Sequence, residues 1–169
     1  YSPSTRLFYN PLHADPAAAL PKAFIRDVVA QNGCAEEMAR LSALTNIDWL
    51  QATPLRQRLL KALFEALRKS STAAAACQDF EHFLADASPL LRDHAVFEVL
   101  HAAQCERDPT SSHWRDWPAH YRDAASADVA AFAAGHAEEI DHQIFLPPEV
   151  LKDKIEDLGV TVHTQKATL

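Results

Sequence analysis

Two pairs of acidic and imidazole side chains share one spacing, Glu98 with His101 and Glu139 with His142. Residues three apart lie on the same face of an α-helix, so each pair could offer a carboxylate and an imidazole to one metal ion. Two such pairs, with one more glutamate from each of two other helices, form a di-iron carboxylate site. The extra ligands could be Glu36 or Glu37, and Glu65. Because the chain has nine His and 23 acidic residues, such pairs arise by chance, and we expect no metal site.

Three further residues could do chemistry, and each also has a simpler interpretation. Cys105 follows His101 by one helical turn, which would suit a nucleophile or a small metal site, but a buried, inert thiol is commoner. His136 falls on an apolar helical stripe, which favours a core or interface histidine. Asp141 lies within helical periodicity, and we interpret it as part of a solvated face. The sequence therefore predicts no catalytic residue.

A group of aromatic residues, Trp114, Trp117 and Tyr121, lies in a connector between two expected helices. Their flat rings could form a platform on which a sugar stacks. They could equally fill the gap between the helices. We favour packing.

The elements that must position these residues are helices. The pairs Thr53-Pro54 and Ser88-Pro89 each resemble an N-cap followed by proline at the first helical position, and Ser71 and Ser126 are further caps. Asn32-Gly33 is a helix terminator. These signals predict helices at about 22–30, 35–44, 54–69, 72–87, 89–106 and 127–146. One of them carries an apolar stripe at helical spacing: Leu55, Leu59, Leu60, Leu63, Ala66 and Leu67.

The fold class that we predict is all-α, an irregular multi-helix bundle. Prolines keep residues 1–21 extended, 22–146 form the helical subdomain, and 147–169 form a tail with a short helix at about 150–158 and a strand at 160–164. The sequence starts at Tyr1 and its one methionine is Met38, so we expect a piece of a longer protein.

Composition excludes several classes of partner and fold. The net charge of −7 leaves no basic field for nucleic acid or an anionic membrane, and no run approaches the roughly 18 apolar residues of a membrane span. Three glycines are too few for a phosphate loop or an antiparallel sandwich. Three scattered cysteines without a C-x-x-C pair favour a cytoplasmic location.

Three stretches, in matching order and spacing, resemble bacterial 4-alpha-glucanotransferases, the amylomaltases. Residues 1–6, YSPSTR, resemble the family's SPYSPSSR segment. Residues 97–104, FEVLHAAQ, resemble F-x-A-L-H-A-x-Q, and residues 117–121, WPAHY, resemble W-P-x-x-Y. The resemblance covers about 1–146.

The resemblance implies a (β/α)₈ barrel in which this chain supplies a substrate loop and an inserted helical subdomain. It implies that Tyr1 stacks on a glucose ring with Ser2 nearby, and that the catalytic carboxylates stand on barrel strands further along. The parent would transfer α-1,4-glucan segments between maltodextrins by retaining transglycosylation, with no cofactor, and this chain alone would be inactive. Its partners would be glucan and the rest of the barrel. The alternatives are a helical protein-interaction module and then a di-iron bundle.

The tail departs from the family, since Pro147-Pro148 stand where a helix rich in Gln and Trp would continue. Residues 150–169 weakly resemble the NAD-binding part of a nitrite reductase large subunit. They lack the glycine-rich loop that holds a dinucleotide, so the sequence gives no reason to assign NAD or FAD.

Overall fold

The computed structural model describes residues 15–145, and within that range it is all-helical with no strand. This confirms the all-α prediction for these residues. Of the extended segment expected at 1–21, residues 1–14 lie outside the described residues, as do the helix and strand expected in the tail. Within its described part, Pro16–Ala18 form a 3-10 helix instead. The α-helices are α1 (Lys22–Gln31), α2 (Ala35–Ser42), α3 (Trp49–Lys69), α4 (Ala74–Asp86), α5 (Pro89–Arg107), α6 (Ala127–Gly135) and α7 (Ala137–Phe145). Short 3-10 helices lie at Pro16–Ala18, Trp114–Asp116 and Ala119–Tyr121.

The described residues form two compact units, 15–78 and 79–145, with the boundary inside α4. In the first unit, α1 and α2 both pack against α3. The predicted leucine stripe of α3 is buried there, with Phe64 added to it and Ala66 only partly covered. The stripe therefore forms the centre of the first unit, because only one face of α3 is apolar.

The turn between α1 and α2 ends the first helix as predicted. Gly33 has a φ of +63°, its N–H donates to the carbonyl of Ala30 at 3.2 Å, and the N–H of Cys34 donates to Val29 at 3.1 Å. This pair of bonds is a Schellman motif, which needs a left-handed residue. The turn directs Cys34, which is fully buried, into the first unit.

The predicted start of α3 was wrong. Thr53 does not cap the helix, which begins at Trp49 with Asp48 as its cap, and Pro54 lies inside it. The Asp48 carboxylate accepts from the backbone N–H of Gln51 at 3.2 Å and from its side-chain amide at 2.6 Å. Helix α3 therefore starts at a cap, Asp48, that lies upstream of the predicted one. Pro54 is tolerated because the carbonyl that it leaves without a donor belongs to Leu50, which is exposed.

In the second unit, α5 packs along α7. The buried residues of these two helices are Leu91, Ala95, Val99, Leu100, Gln104, Ile140 and Ile144. The ring of Phe80 meets that of Phe145 edge to face at 5.5 Å. Two of the three predicted serine caps are confirmed, since the Oγ atoms of Ser88 and Ser126 each accept a backbone N–H at 3.2 Å. Helix α4 begins at Ala74, and in the turn before it the Oγ of Ser70, rather than that of Ser71, accepts the backbone N–H groups of Thr72 and Ala73.

The single helix predicted for 127–146 is interrupted at His136. Its backbone leaves helical geometry, with φ −125° and ψ 34°. The ring nitrogen Nδ1 donates to the carbonyl of Phe132 at 2.8 Å, and the His136 N–H bonds Ala133 instead. The His136 side chain therefore binds the Phe132 carbonyl, which in a continuous helix would accept the backbone N–H of His136. Gly135, a poor helix former, stands directly before it.

Candidate functional site

A row of titratable side chains follows one face of α5: His94, Glu98, His101 and Cys105. Their spacings of four, three and four residues place them on one helical face. All four are partly buried. We call them the α5 polar row and take it as the strongest candidate for a reactive site among residues 15–145.

The first pair of the row is an ion pair only when the imidazole is protonated. His94 Nδ1 lies 3.9 Å from Glu98 Oε1. Burial lowers the pKa of His94 below its usual range, and the Glu98 carboxylate only partly offsets this. Glu98 Oε1 is buried and accepts no hydrogen bond from the residues that the structure describes. The pair therefore leaves one carboxylate oxygen poorly solvated.

The second pair of the row does not form an activated thiol. His101 Nε2 lies 3.0 Å from the carbonyl oxygen of Ser112 and 3.5 Å from Cys105 Sγ. A carbonyl can only accept, so Nε2 carries the proton. In the neutral ring the nitrogen beside the thiol therefore cannot act as its base. The geometry favours the interpretation of Cys105 as an unreactive thiol.

His101 also belongs to an aromatic group. Its ring stacks on Phe97 at a centroid distance of 5.9 Å and approaches Trp117 at 6.1 Å. Trp117 packs in a core with Leu100 and Val129, and its indole N–H donates to the carbonyl of Ser111 at 3.0 Å. Only 2% of Trp117 is exposed, so this ring packs and offers no sugar platform. Tyr121 joins the same core by an edge contact with Phe132 at 6.0 Å.

His136 is likewise structural. It is partly buried, and its ring stacks on that of Phe132 at a centroid distance of 3.9 Å. Its Nδ1–H donates to the Phe132 carbonyl at the break between α6 and α7. The prediction of a satisfied histidine on the apolar stripe is confirmed. Its role at the helix break could not be read from periodicity.

The glutamates proposed for a di-iron site have other surroundings in the described residues. Glu36, Glu65 and Glu139 are exposed, and the carboxylate of Glu37 bonds Arg58 at 2.7 Å. That hydrogen bond is the main reason why the pKa of Arg58 is raised. In the part of the chain that the structure describes, no three His, Cys, Asp or Glu side chains converge as metal ligands would.

Sequence reasoning gave no role to one buried polar residue. Gln104 in α5 is 4% exposed, and its amide oxygen has no hydrogen-bond partner within residues 15–145. It lies one helical turn beyond Leu100, on a helix face that is otherwise apolar. A polar residue on an apolar helix face is the sequence signal by which Gln104 could have been identified. The predicted substrate residues Tyr1 and Ser2 lie outside the described residues.

The described residues thus present packing and capping contacts rather than an assembled reactive centre, and none of their helices is long and apolar enough to cross a membrane. A family model described as 4-alpha-glucanotransferase matches residues 1–158. The match runs past the expected boundary at 146 and includes the first part of the tail. On this match, the chain belongs to the 4-alpha-glucanotransferase family.

Proposed function

We propose that the chain is the helical part of an enzyme that transfers α-1,4-glucan segments between maltodextrins. The observation that carries the proposal is the family match over residues 1–158. The all-helical character of residues 15–145 is consistent with a subdomain inserted into a larger enzyme. Its partners would be a maltodextrin and the barrel of the same protein, in the cytoplasm.

The reaction would be a retaining transfer in two steps. A carboxylate attacks the anomeric carbon while a carboxylic acid protonates the departing glucan. The hydroxyl of an acceptor glucan then attacks the glycosyl-enzyme, and the second carboxylate takes its proton. We place both carboxylates outside these 169 residues. In support, Glu65 and Glu139 are exposed, Glu37 lies beside the cation of Arg58, and Glu98 lies beside the imidazole of His94.

Disproportionation of maltotriose tests this function. The enzyme that contains this chain should convert maltotriose into glucose and longer maltodextrins, which chromatography resolves. The 169-residue chain alone should leave maltotriose unchanged. No longer products from the whole enzyme would refute the glucanotransferase activity, and turnover by the chain alone would refute the placement of the carboxylates.

At the substrate, we propose that Tyr1 stacks on a glucose ring and that Ser2 lies beside it. In the whole enzyme, Tyr1→Ala should lower kcat/KM for maltotriose by about five- to tenfold, the worth of one aromatic contact. Tyr1→Phe should retain most of the activity because it keeps the ring. Tyr9→Ala, in the same segment, is the matched control. Equal activity of Tyr1→Ala and Tyr9→Ala would contradict this role.

A second candidate is a helical protein-interaction module, and one feature favours it. Four large apolar residues within one short stretch are exposed: Leu44, Ile47, Trp49 and Leu50. Contiguous exposed apolar surface is typical of interaction sites. Titration of the chain with maltoheptaose, followed by tryptophan fluorescence, separates the candidates, because an interaction module would show no response at millimolar sugar.

A further inference from the structure

The large apolar side chains that are exposed within residues 15–78 all lie between the end of α2 and the first turn of α3. They are Leu44, Ile47, Trp49 and Leu50, and we call them the 44–50 surface. Leu50 is 91% exposed, and Leu44, the least exposed of the four, is 44% exposed. Proteins rarely leave contiguous apolar surface in water, so the 44–50 surface calls for an occupant.

Hydrogen bonds hold the 44–50 surface in place. The Leu44 N–H donates to the carbonyl of Leu41 at 3.3 Å. The Asp48 carboxylate accepts from the backbone and the side chain of Gln51, and the guanidinium of Arg40 donates to the Gln51 amide oxygen at 2.6 Å. A segment that docks here meets a surface that is already ordered, which lowers the entropic cost of docking.

The described chain begins beside α3, in the same unit as the 44–50 surface. Burial lowers the pKa of Arg56 on α3, and the nearby carboxylate of Asp15 partly offsets this. The 3-10 helix Pro16–Ala18 packs against α1, and Leu20 is buried. Arg56 follows Leu50 by six residues, which is about 9 Å along the helix axis. The chain therefore enters the described region close to the 44–50 surface.

The chain before Asp15 carries apolar residues within reach of this surface. Phe8 and Leu12 precede Asp15 by seven and three residues, which span about 23 and 10 Å in an extended chain. Pro11 favours an extended backbone at Asn10. Residues four apart on an extended chain lie on the same side, so the sequence lets Phe8 and Leu12 meet one surface together.

We propose that residues 8–12 dock on the 44–50 surface, with Phe8 and Leu12 against Leu50. A second copy of the chain is a poorer occupant, because a stable interface uses about 20–30 residues a side and this surface offers four apolar ones. A segment of the same chain has an effective concentration on the order of millimolar, so a small contact suffices. The docking excludes another protein from this surface. Under the proposed function, it would also hold Tyr1 in position at the substrate.

Trypsin cleavage after Arg6 tests the docking on the full 169-residue chain, with the release of residues 1–6 followed by mass spectrometry. A docked segment is protected, because the protease needs the residues on both sides of the bond to be free. Leu50→Ser should accelerate this cleavage about five- to tenfold, the worth of one buried leucine contact. Leu90→Ser is the matched control, since Leu90 is a half-exposed leucine in the other unit. Far-UV circular dichroism and the unfolding midpoint establish that both variants remain folded.

The segment side of the contact has its own variant. Leu12→Ser should accelerate the cleavage as Leu50→Ser does. The double variant should be accelerated by less than the product of the two single effects, because both remove the same contact.

These results together, with no acceleration in Leu90→Ser, support the proposal. Equal cleavage rates of Leu50→Ser and the unmodified chain would overturn it and leave the surface to another protein. Equal acceleration by Leu90→Ser would overturn it as well. Protection that increases with protein concentration would assign the surface to a second copy instead. Since the cleavage needs no glucan, the maltotriose assay decides the proposed function independently.

Discussion

Replacing Trp117 should destabilise the second unit far more than replacing Trp114. Trp117 is 2% exposed against Leu100 and Val129, and its N–H bonds the carbonyl of Ser111 at 3.0 Å. Removal of a buried tryptophan costs about 3–5 kcal/mol through lost transfer free energy and the cavity left behind. Trp114→Ala should change the free energy of unfolding by less than about 0.5 kcal/mol, because that ring is exposed and outside the core.

Trp117→Phe divides the effect into two contributions. Phenylalanine keeps most of the apolar ring but cannot donate to Ser111. The lost hydrogen bond is worth about 1 kcal/mol, and the smaller ring about 1 kcal/mol more. We therefore expect about 2 kcal/mol for Trp117→Phe, between the values for Trp114→Ala and Trp117→Ala.

Urea unfolding of the three variants, followed by far-UV circular dichroism, measures these differences without depending on tryptophan fluorescence. A loss in Trp117→Ala within 1 kcal/mol of that in Trp114→Ala would refute the assignment of Trp117 to the core. It would also reopen the interpretation of Trp117 as a sugar platform.

Two further predictions concern titration and backbone geometry. Burial lowers the folded-state pKa of His94, so the unfolded chain binds its proton at higher pH, and stability should fall as the pH drops from about 7 to 5. His94→Gln should flatten this slope in urea midpoints measured across that range, and parallel slopes would contradict the cause. Gly33→Ala should destabilise by about 1 kcal/mol because its φ is +63°, with no steric contact involved. Gly135→Ala adds a Cβ in open space without a positive φ and should stabilise by up to about 1 kcal/mol. The same sign for both glycine variants, in thermal melts, would show that packing rather than backbone conformation decides.

Features encoded by neighbouring residues were predictable from the sequence. Ser88 and Ser126 cap their helices, and Asn32-Gly33 ends α1, because each signal acts within five residues. The start of α3 was missed because two caps compete, and local rules do not rank Asp48 against Thr53. The break at His136 depends on a side-chain bond to Phe132, which the helical pattern does not register.

The candidate site was harder to predict from the sequence than the fold, because its chemistry depends on burial and on hydrogen-bond direction. Trp114 and Trp117 are alike in sequence, and what separates them is the burial of Trp117 against Leu100 together with its hydrogen bond to Ser111. The inertness of the pair formed by His101 and Cys105 follows from the carbonyl of Ser112, eleven residues from His101. The family came from the resemblance of whole stretches, and the roles of Tyr1 and Ser2 stay predictions.

We propose that these helices border a glucan-transfer reaction without supplying its carboxylates. The most direct test is the kcat for maltotriose disproportionation by the whole enzyme carrying Glu98→Gln, Glu139→Gln and Asp141→Asn together, after its unfolding midpoint has been checked. We expect a kcat within about threefold of that of the unmodified enzyme. A folded triple variant whose kcat falls by 10²-fold or more, on the order expected for a lost catalytic acid or base, would contradict it.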